Sequence, residues 1–183
     1  AQQWRTRQGL PEMKEWNELI NNLSPLPSKD GVYLTSEGAP LIGHTAEQTD
    51  SPKGDDKFAS DHPMPLGAFG MLPESYLFTK AGMDSTYNWI MKHWNWQKTW
   101  GWDYPMTAMC ATRLGRPDDA VNALLMPVPK NTYLNNGHNW QSDRLRCYLP
   151  GNGGLLTAIA LMTAGYDSST TKNPGIPTSW DVR

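Results

Sequence analysis

Met13, Trp16, Leu19, Ile20 and Leu23 recur at steps of three, three, one and three, the spacing of one apolar helix face. With Pro11 suited to a first turn, they predict a helix over 11–23, stopped by Ser24-Pro25-Leu26-Pro27. Lys29-Asp30-Gly31 reads as a turn, and Val32-Tyr33-Leu34-Thr35 as a short strand. From Gly43 to Asp61 the chain is polar and aperiodic, the pattern of a long functional loop. An apolar segment, Leu66 to Phe78, follows and is interrupted by Pro73. Tyr87, Ile90, Met91 and Trp94 predict a second helix over 84–95, capped by Asp84 or Ser85. After a Trp100-Gly101-Trp102 bend, Met106, Met109, Cys110 and Leu114 predict a helix over 103–114 that ends at Gly115. Pro117 and Asp118 open another, with Ala120, Val121, Leu124 and Leu125 as its apolar positions. Pro127 to Asn139 is rich in Pro and Asn, and a strongly apolar last helix is expected over 153–164 behind the glycine-rich run Gly151-Asn152-Gly153-Gly154. Residues 167–183, rich in Ser, Thr, Pro and Gly, read as a linker, which leaves residues 1–166 as one domain.

The sum is an all-α chain whose helices are joined alternately by short turns and long polar loops. An ordinary bundle would use short loops throughout. A toroid of paired helices gathers its long loops and aromatic residues at one mouth, and that is the architecture the pattern favours.

Composition sharpens this in one respect. Nine tryptophans occur in 183 residues, four of them between Trp94 and Trp102. An indole offers a flat apolar face and one N–H donor, which suits a core wall or a platform for a sugar ring. Trp89 and Trp94 fall on a helical stripe and read as core. Trp100, Trp102 and Trp140 adjoin glycine or polar loop residues and read as stacking residues. A net charge of −2 supplies no basic groove, which argues against nucleic acid as a partner, and no apolar run is long enough to span a membrane. Cys110 reads as a small core residue, and Cys147 as core or as its disulfide partner.

The order of short motifs narrows the class. Thr99-Trp100-Gly101-Trp102, Ala111-Thr112-Arg113-Leu114-Gly115, Asn131-Thr132-Tyr133, Gly151-Asn152-Gly153-Gly154 and the closing apolar helix resemble the C-terminal part of the catalytic domain of glycoside hydrolase family 95 and related toroidal glycosidases. Leu23-Ser24-Pro25-Leu26-Pro27, Lys29-Asp30-Gly31 and Asp61-His62-Pro63 look like upstream segments of the same domain, so the likeness covers roughly residues 16–165. The resemblance implies part of an (α/α)6 toroid, an oligosaccharide or polysaccharide substrate, and acid–base cleavage of glycosidic bonds. It also implies a companion polypeptide that completes the barrel and carries the general acid, and a periplasmic or extracellular location. In that family a catalytic aspartate precedes the Gly-Asn pair, whereas Pro150 stands there in this chain, which points to a neighbouring family.

Glycosidic hydrolysis generally uses two carboxyl groups across the scissile bond. Asp103, directly after the tryptophan pair, is one candidate, and it is equally placed to cap the helix that follows. Asp143 is a second, with an ion pair to Arg144 or Arg146 as its structural alternative. Asp61, beside His62, is a third, with a surface turn as its alternative. His138 sits among amides and could support an acid; His62, Asn139 and Asn152 are further candidates for sugar contacts. His44 and His93 read as surface residues. No zinc spacing occurs, and Asp50, Asp55 and Asp56 read first as a solvated cluster and second as a calcium site, so no cofactor is expected. Two other functions stay open. A polysaccharide lyase would use groups such as Tyr104, His138 and Arg144. A non-catalytic glycan-binding module would need only the tryptophans, and Pro150 favours it.

Overall fold

The computed structural model describes residues 1–39, 41, 58–73 and 75–181. Among them the helices are α1 (Gln2–Arg7), α2 (Lys14–Asn21), α3 (Met64–Gly70), α4 (Lys80–His93), α5 (Asp103–Leu114), α6 (Pro117–Leu124) and α7 (Leu149–Ala164). A single 3-10 turn at Pro129–Asn131 and two antiparallel hairpins complete the list. Strand β1 (Ser28–Lys29) pairs with β2 (Val32–Tyr33), and β3 (Thr132–Tyr133) with β4 (Asn139–Trp140). The chain is thus mostly helical.

The core is built around α5, in which every residue except Arg113 is buried. Helices α3, α6 and α7 pack directly on it. Small residues let them approach. A Cβ at Gly70 would stand 2.7 Å from the backbone nitrogen of Cys110, so α3 and α5 touch backbone to backbone. Met106, Met109, Cys110 and Leu114 meet Leu66, Met83, Tyr87, Ile90, Ala120, Ala123, Ala158 and Met162 in one apolar cluster.

Local chemistry fixes the ends of these helices. Gly115 takes φ +80° after α5, and its amide and that of Arg116 return to the carbonyls of Thr112 and Ala111, as a left-handed helix cap requires. Pro117 then starts α6 at a position where a missing N–H costs nothing. Arg116 ties this corner to α4, pairing with Asp84 at 2.7 Å, donating to Asn88 Oδ1 at 2.6 Å and lying over the Tyr87 ring. Helix α4 begins earlier than its apolar stripe predicts, because Thr79 caps it by accepting from the Gly82 amide; Asp84 and Ser85 lie inside. The first hairpin docks on α4, where Tyr33 N–H donates to the Thr86 hydroxyl and Tyr33 OH accepts from Thr79 N–H.

Several expectations are corrected. Helix α2 is shorter than 11–23 and leaves Pro11 outside, and none of its residues is buried. Helix α7 begins at Leu149, so the glycine-rich run is its first turns and not a loop before it. Ser28–Lys29 supplies the partner strand that the polar sequence concealed. His93 stacks on Trp89 with ring centroids 4.3 Å apart, and is not a simple surface residue. Residues 175–177 do not hang free: Gly175 N–H donates to the Met162 carbonyl, Ile176 packs on the core and Pro177 is buried. Cys110 is buried and Cys147 exposed, and both are free thiols. Most of the polar stretch from Gly43 to Asp61, including His44, Asp50, Asp55 and Asp56, lies outside the described residues.

Asn139 locks the second hairpin to the rest. Its side-chain NH2 donates to the carbonyls of Lys130 and Thr132, which orients the amide, and its Oδ1 is buried without a hydrogen-bond donor. That oxygen lies where a side chain at Gly101 or Gly151 would be: a Cβ at either would come within 1.9 or 2.3 Å of it. Around Gly153, in the same helix, space is open. Gly101→Ala and Gly151→Ala are therefore expected to lower stability by about 2 kcal/mol each. Gly153→Ala is expected to raise it by up to about 1 kcal/mol. Urea unfolding of the three variants checks this; equal effects would contradict it.

Candidate functional site

The segment Trp94 to Asp103 folds back on itself before entering α5. Thr99 is its buried pivot, accepting from Trp94 Nε1 at 3.0 Å and donating to Asp103 Oδ2. The same Oδ2 accepts from Trp100 N–H at 2.8 Å. Asp103 is thus the first residue of α5, with Trp102 at the cap position, and its carboxyl closes the turn from within, at the end of a helix that favours negative charge. Gln141 braces the bend from outside, accepting from Gly101 N–H at 2.8 Å.

The second carboxyl oxygen faces the segment before α3. Asp103 Oδ1 lies 3.0 Å from Nδ1 of His62. Trp102 Nε1 lies 2.9 Å from the same Nδ1; indole can only donate, so this hydrogen bond forms when Nδ1 is bare and yields to the Asp103 contact when Nδ1 carries its proton. On the far side of the ring, His62 Nε2 is 3.5 Å from Asp61 Oδ1, which accepts from Trp100 Nε1 at 3.0 Å. The two indoles flank the imidazole, Trp102 edge-on at 5.1 Å between centroids and Trp100 tilted at 5.7 Å. Tyr148, which precedes α7, brings its ring within 5.6 Å of Trp100.

Exposure rises along this line. Asp103 is fully enclosed, the His62 side chain is 26% exposed and that of Asp61 61%. Asp103 therefore orients and polarises, while His62 and Asp61 face solvent. The hydrogen bond to Asp103 raises the His62 pKa above its ordinary value, against the effect of burial. Burial raises the Asp103 pKa, and the hydrogen bonds from His62, Thr99 and Trp100 N–H oppose it. Both shifts favour holding a proton in this pair. Burial also raises the Tyr148 pKa, helped by the negative charges of Asp103 and Asp61. An imidazole oriented by an enclosed carboxylate, next to an open one, is equipped for proton transfer.

Of the residues singled out from sequence, the structure brings together Asp61, His62, Trp100, Trp102 and Asp103. Asp103 caps its turn and contacts His62 at once, so both alternatives read for it describe one arrangement. The others lie apart. Asp143 is exposed in a turn bracketed by the Ser142–Leu145 bridge, and among the described residues it makes no ion pair with Arg144 or Arg146. His138 serves the second hairpin through its main chain, its N–H donating to Asn136 Oδ1 and its carbonyl accepting from Leu134 N–H. Asn139 is enclosed, and Asn152 pins the hairpin to α7, accepting from Asn139 N–H and donating to the Gly137 carbonyl. Trp140 is half-buried, with the Lys130 ammonium 5.6 Å from its ring centroid. Tyr104 is buried and donates to the Trp96 carbonyl, and Arg144 is exposed, so Tyr104, His138 and Arg144 do not form a cluster. Thr99, Gln141 and Tyr148 belong to the site and carry no sequence signal except nearness to tryptophan or to the Gly-Asn run.

Among the described residues no group of three or more His, Cys, Asp or Glu side chains is placed to hold a metal ion. None of the described helices is long and apolar enough to cross a membrane. No protein-family model matches the chain, and neither a curated protein nor a solved structure matches it.

The titration of the pair has a consequence for stability. With both pKa values raised on folding, the native state holds protons more tightly than the unfolded chain. The contribution is fully present below the ordinary values, 6.5 for His62 and 3.8 for Asp103, and is lost as pH climbs through the raised ones. The urea midpoint should therefore fall as pH rises above about 6.5, and fall less in His62→Gln. A midpoint that rises with pH there would contradict the assignment.

Proposed function

We propose that the chain is part of a carbohydrate-active hydrolase that cleaves glycosidic bonds by acid–base catalysis. The observation that carries this reading is the convergence of Asp61, His62 and Trp100 above the enclosed Asp103. The Trp100 indole is the platform for a sugar ring. Asp61, open to solvent and held by Trp100 Nε1, is the catalytic carboxylate, and His62, oriented by Asp103, sets its protonation. Asp103 is a positioning residue, because it has no access to substrate.

Such cleavage needs a second carboxyl group several ångströms from the first. In this reading it comes from a companion polypeptide that completes an (α/α)6 toroid exported to the periplasm or cell exterior. Support comes from α7, which carries no charged residue and is apolar all round yet leaves Leu149, Leu156 and Ile159 exposed. A helix of that kind is normally covered on every side.

A second reading, a polysaccharide lyase, is favoured by Tyr148, whose phenol stands near Asp61 and Asp103 and would act with His62 in proton transfer beside a uronate. One assay separates the readings: native protein, co-purified with whatever binds it, is incubated with neutral and acidic polysaccharides. Release of reducing ends without ultraviolet absorbance is expected, reduced at least ~100-fold in Asp61→Asn. Ultraviolet-absorbing unsaturated ends, lost in Tyr148→Phe, would select the lyase. Binding that Trp100→Ala abolishes, with no product at all, would leave a glycan-binding module.

A further inference from the structure

A cleft of about 280 Å³ opens between the first hairpin and α3, with Trp102 in its wall. Its walls include Tyr33, Leu34, Met64, Ala68, Met71 and Trp102, and no charged side chain lines it. Tyr33 turns its hydroxyl away to accept from Thr79 N–H, so its ring is what the wall presents. At the rim Met64 and Met71 are 47% and 44% exposed. The back wall is thin at Gly67, where an added Cβ would stand 2.6 Å from Met106 Sδ in the core. The core therefore closes the cleft from behind with a fixed surface.

We propose that this cleft is a binding site for an uncharged aromatic group of one or two fused rings, and that Trp102 couples its occupancy to the His62–Asp103 pair. The size sets the class: a cavity of ~150 Å³ accepts benzene, and drug-sized ligands need roughly 300 Å³ or more. The lining selects aromatic over aliphatic. Two ring walls offer stacked or edge-to-face contact, and two flexible thioethers at the rim favour a ring edge. The absence of charge excludes ionic head groups. The coupling follows from contact, because the indole that walls the cleft stands edge-on to the His62 ring at 5.1 Å between centroids, with its Nε1 2.9 Å from Nδ1. This inference does not depend on glycan chemistry at Asp61.

Benzyl alcohol is the probe, titrated into the full chain labelled at methionine methyl carbons, with cyclohexanol and glucose as controls. The Met64 and Met71 methyl signals, assigned with Met64→Leu and Met71→Leu, should move upfield and saturate, with through-space transfer from the ring protons to those methyls. The His62 ring signals should move with the same half-saturation concentration while those of His138 stay still. Ala68→Phe, which fills the cleft, should remove both responses. No saturable shift, no transfer to those methyls, or an equal response to cyclohexanol would overturn the aromatic site. Methionine shifts with stationary His62 signals would overturn the link through Trp102.

Discussion

The burial of one carboxyl group organises this molecule. Asp103 has no exposed surface, and an unpaired carboxylate in such a place costs several kcal/mol. Each partner that offsets that cost belongs to a different stretch of chain. Thr99 anchors the tryptophan loop and, through its hydroxyl oxygen, also stands 3.0 Å from the carbonyl of Asp61. The amide of Trp100 fixes the bend. His62 brings in the segment before α3. A loop of alternating tryptophans and a histidine distant in sequence are thus held by the first residue of the core helix, and the geometry of the solvent-facing groups inherits its rigidity.

A second enclosed polar side chain extends the frame to α7. Asn139 gives both amide hydrogens to main-chain carbonyls and leaves its oxygen among the Cα atoms of Gly101 and Gly151, where only weak C–H donors are available. The cost of an orphaned acceptor is accepted because the amide fills the gap between the tryptophan bend and the start of α7. Asn152 completes the tie from the helix side. The Gly-Asn run thus serves packing between backbones, and its position beside the site follows from that packing.

Helices with strong stop signals were legible in the sequence. Gly115 and Pro117 are local devices, and α5 and the start of α6 stand where the periodicity places them. The starts of α4 and α7 were not. Thr79 is followed by Lys-Ala-Gly, which hides the first turn of α4, and Pro150 with three glycines reads as a break although a first turn tolerates proline. The cluster at Asp61, His62, Trp100, Trp102 and Asp103 was visible because its members are chemically distinctive and adjoin one another within two short segments. Thr99 and Gln141 were not, since hydroxyl and amide side chains acquire their role only from contacts about forty residues away. Asp143 and His138 show the converse: a dense polar run does not say which way a turn points.

Helix α7 links the site physically to an exposed apolar surface. Tyr148, at its cap, lies against Trp100 beside the exposed carboxylate, while Leu149, one residue on, begins the uncovered apolar stripe. A rigid helix cannot shift at one and stay fixed at the other. Its position is set on one side by Ala158 and Met162 packing against α5, and by the hairpin through Asn152. Under the proposed reading, a companion seated on Leu149, Leu156 and Ile159 would supply the opposing contact. The placement of the Tyr148 ring against Trp100 would then depend on both surfaces of the same helix.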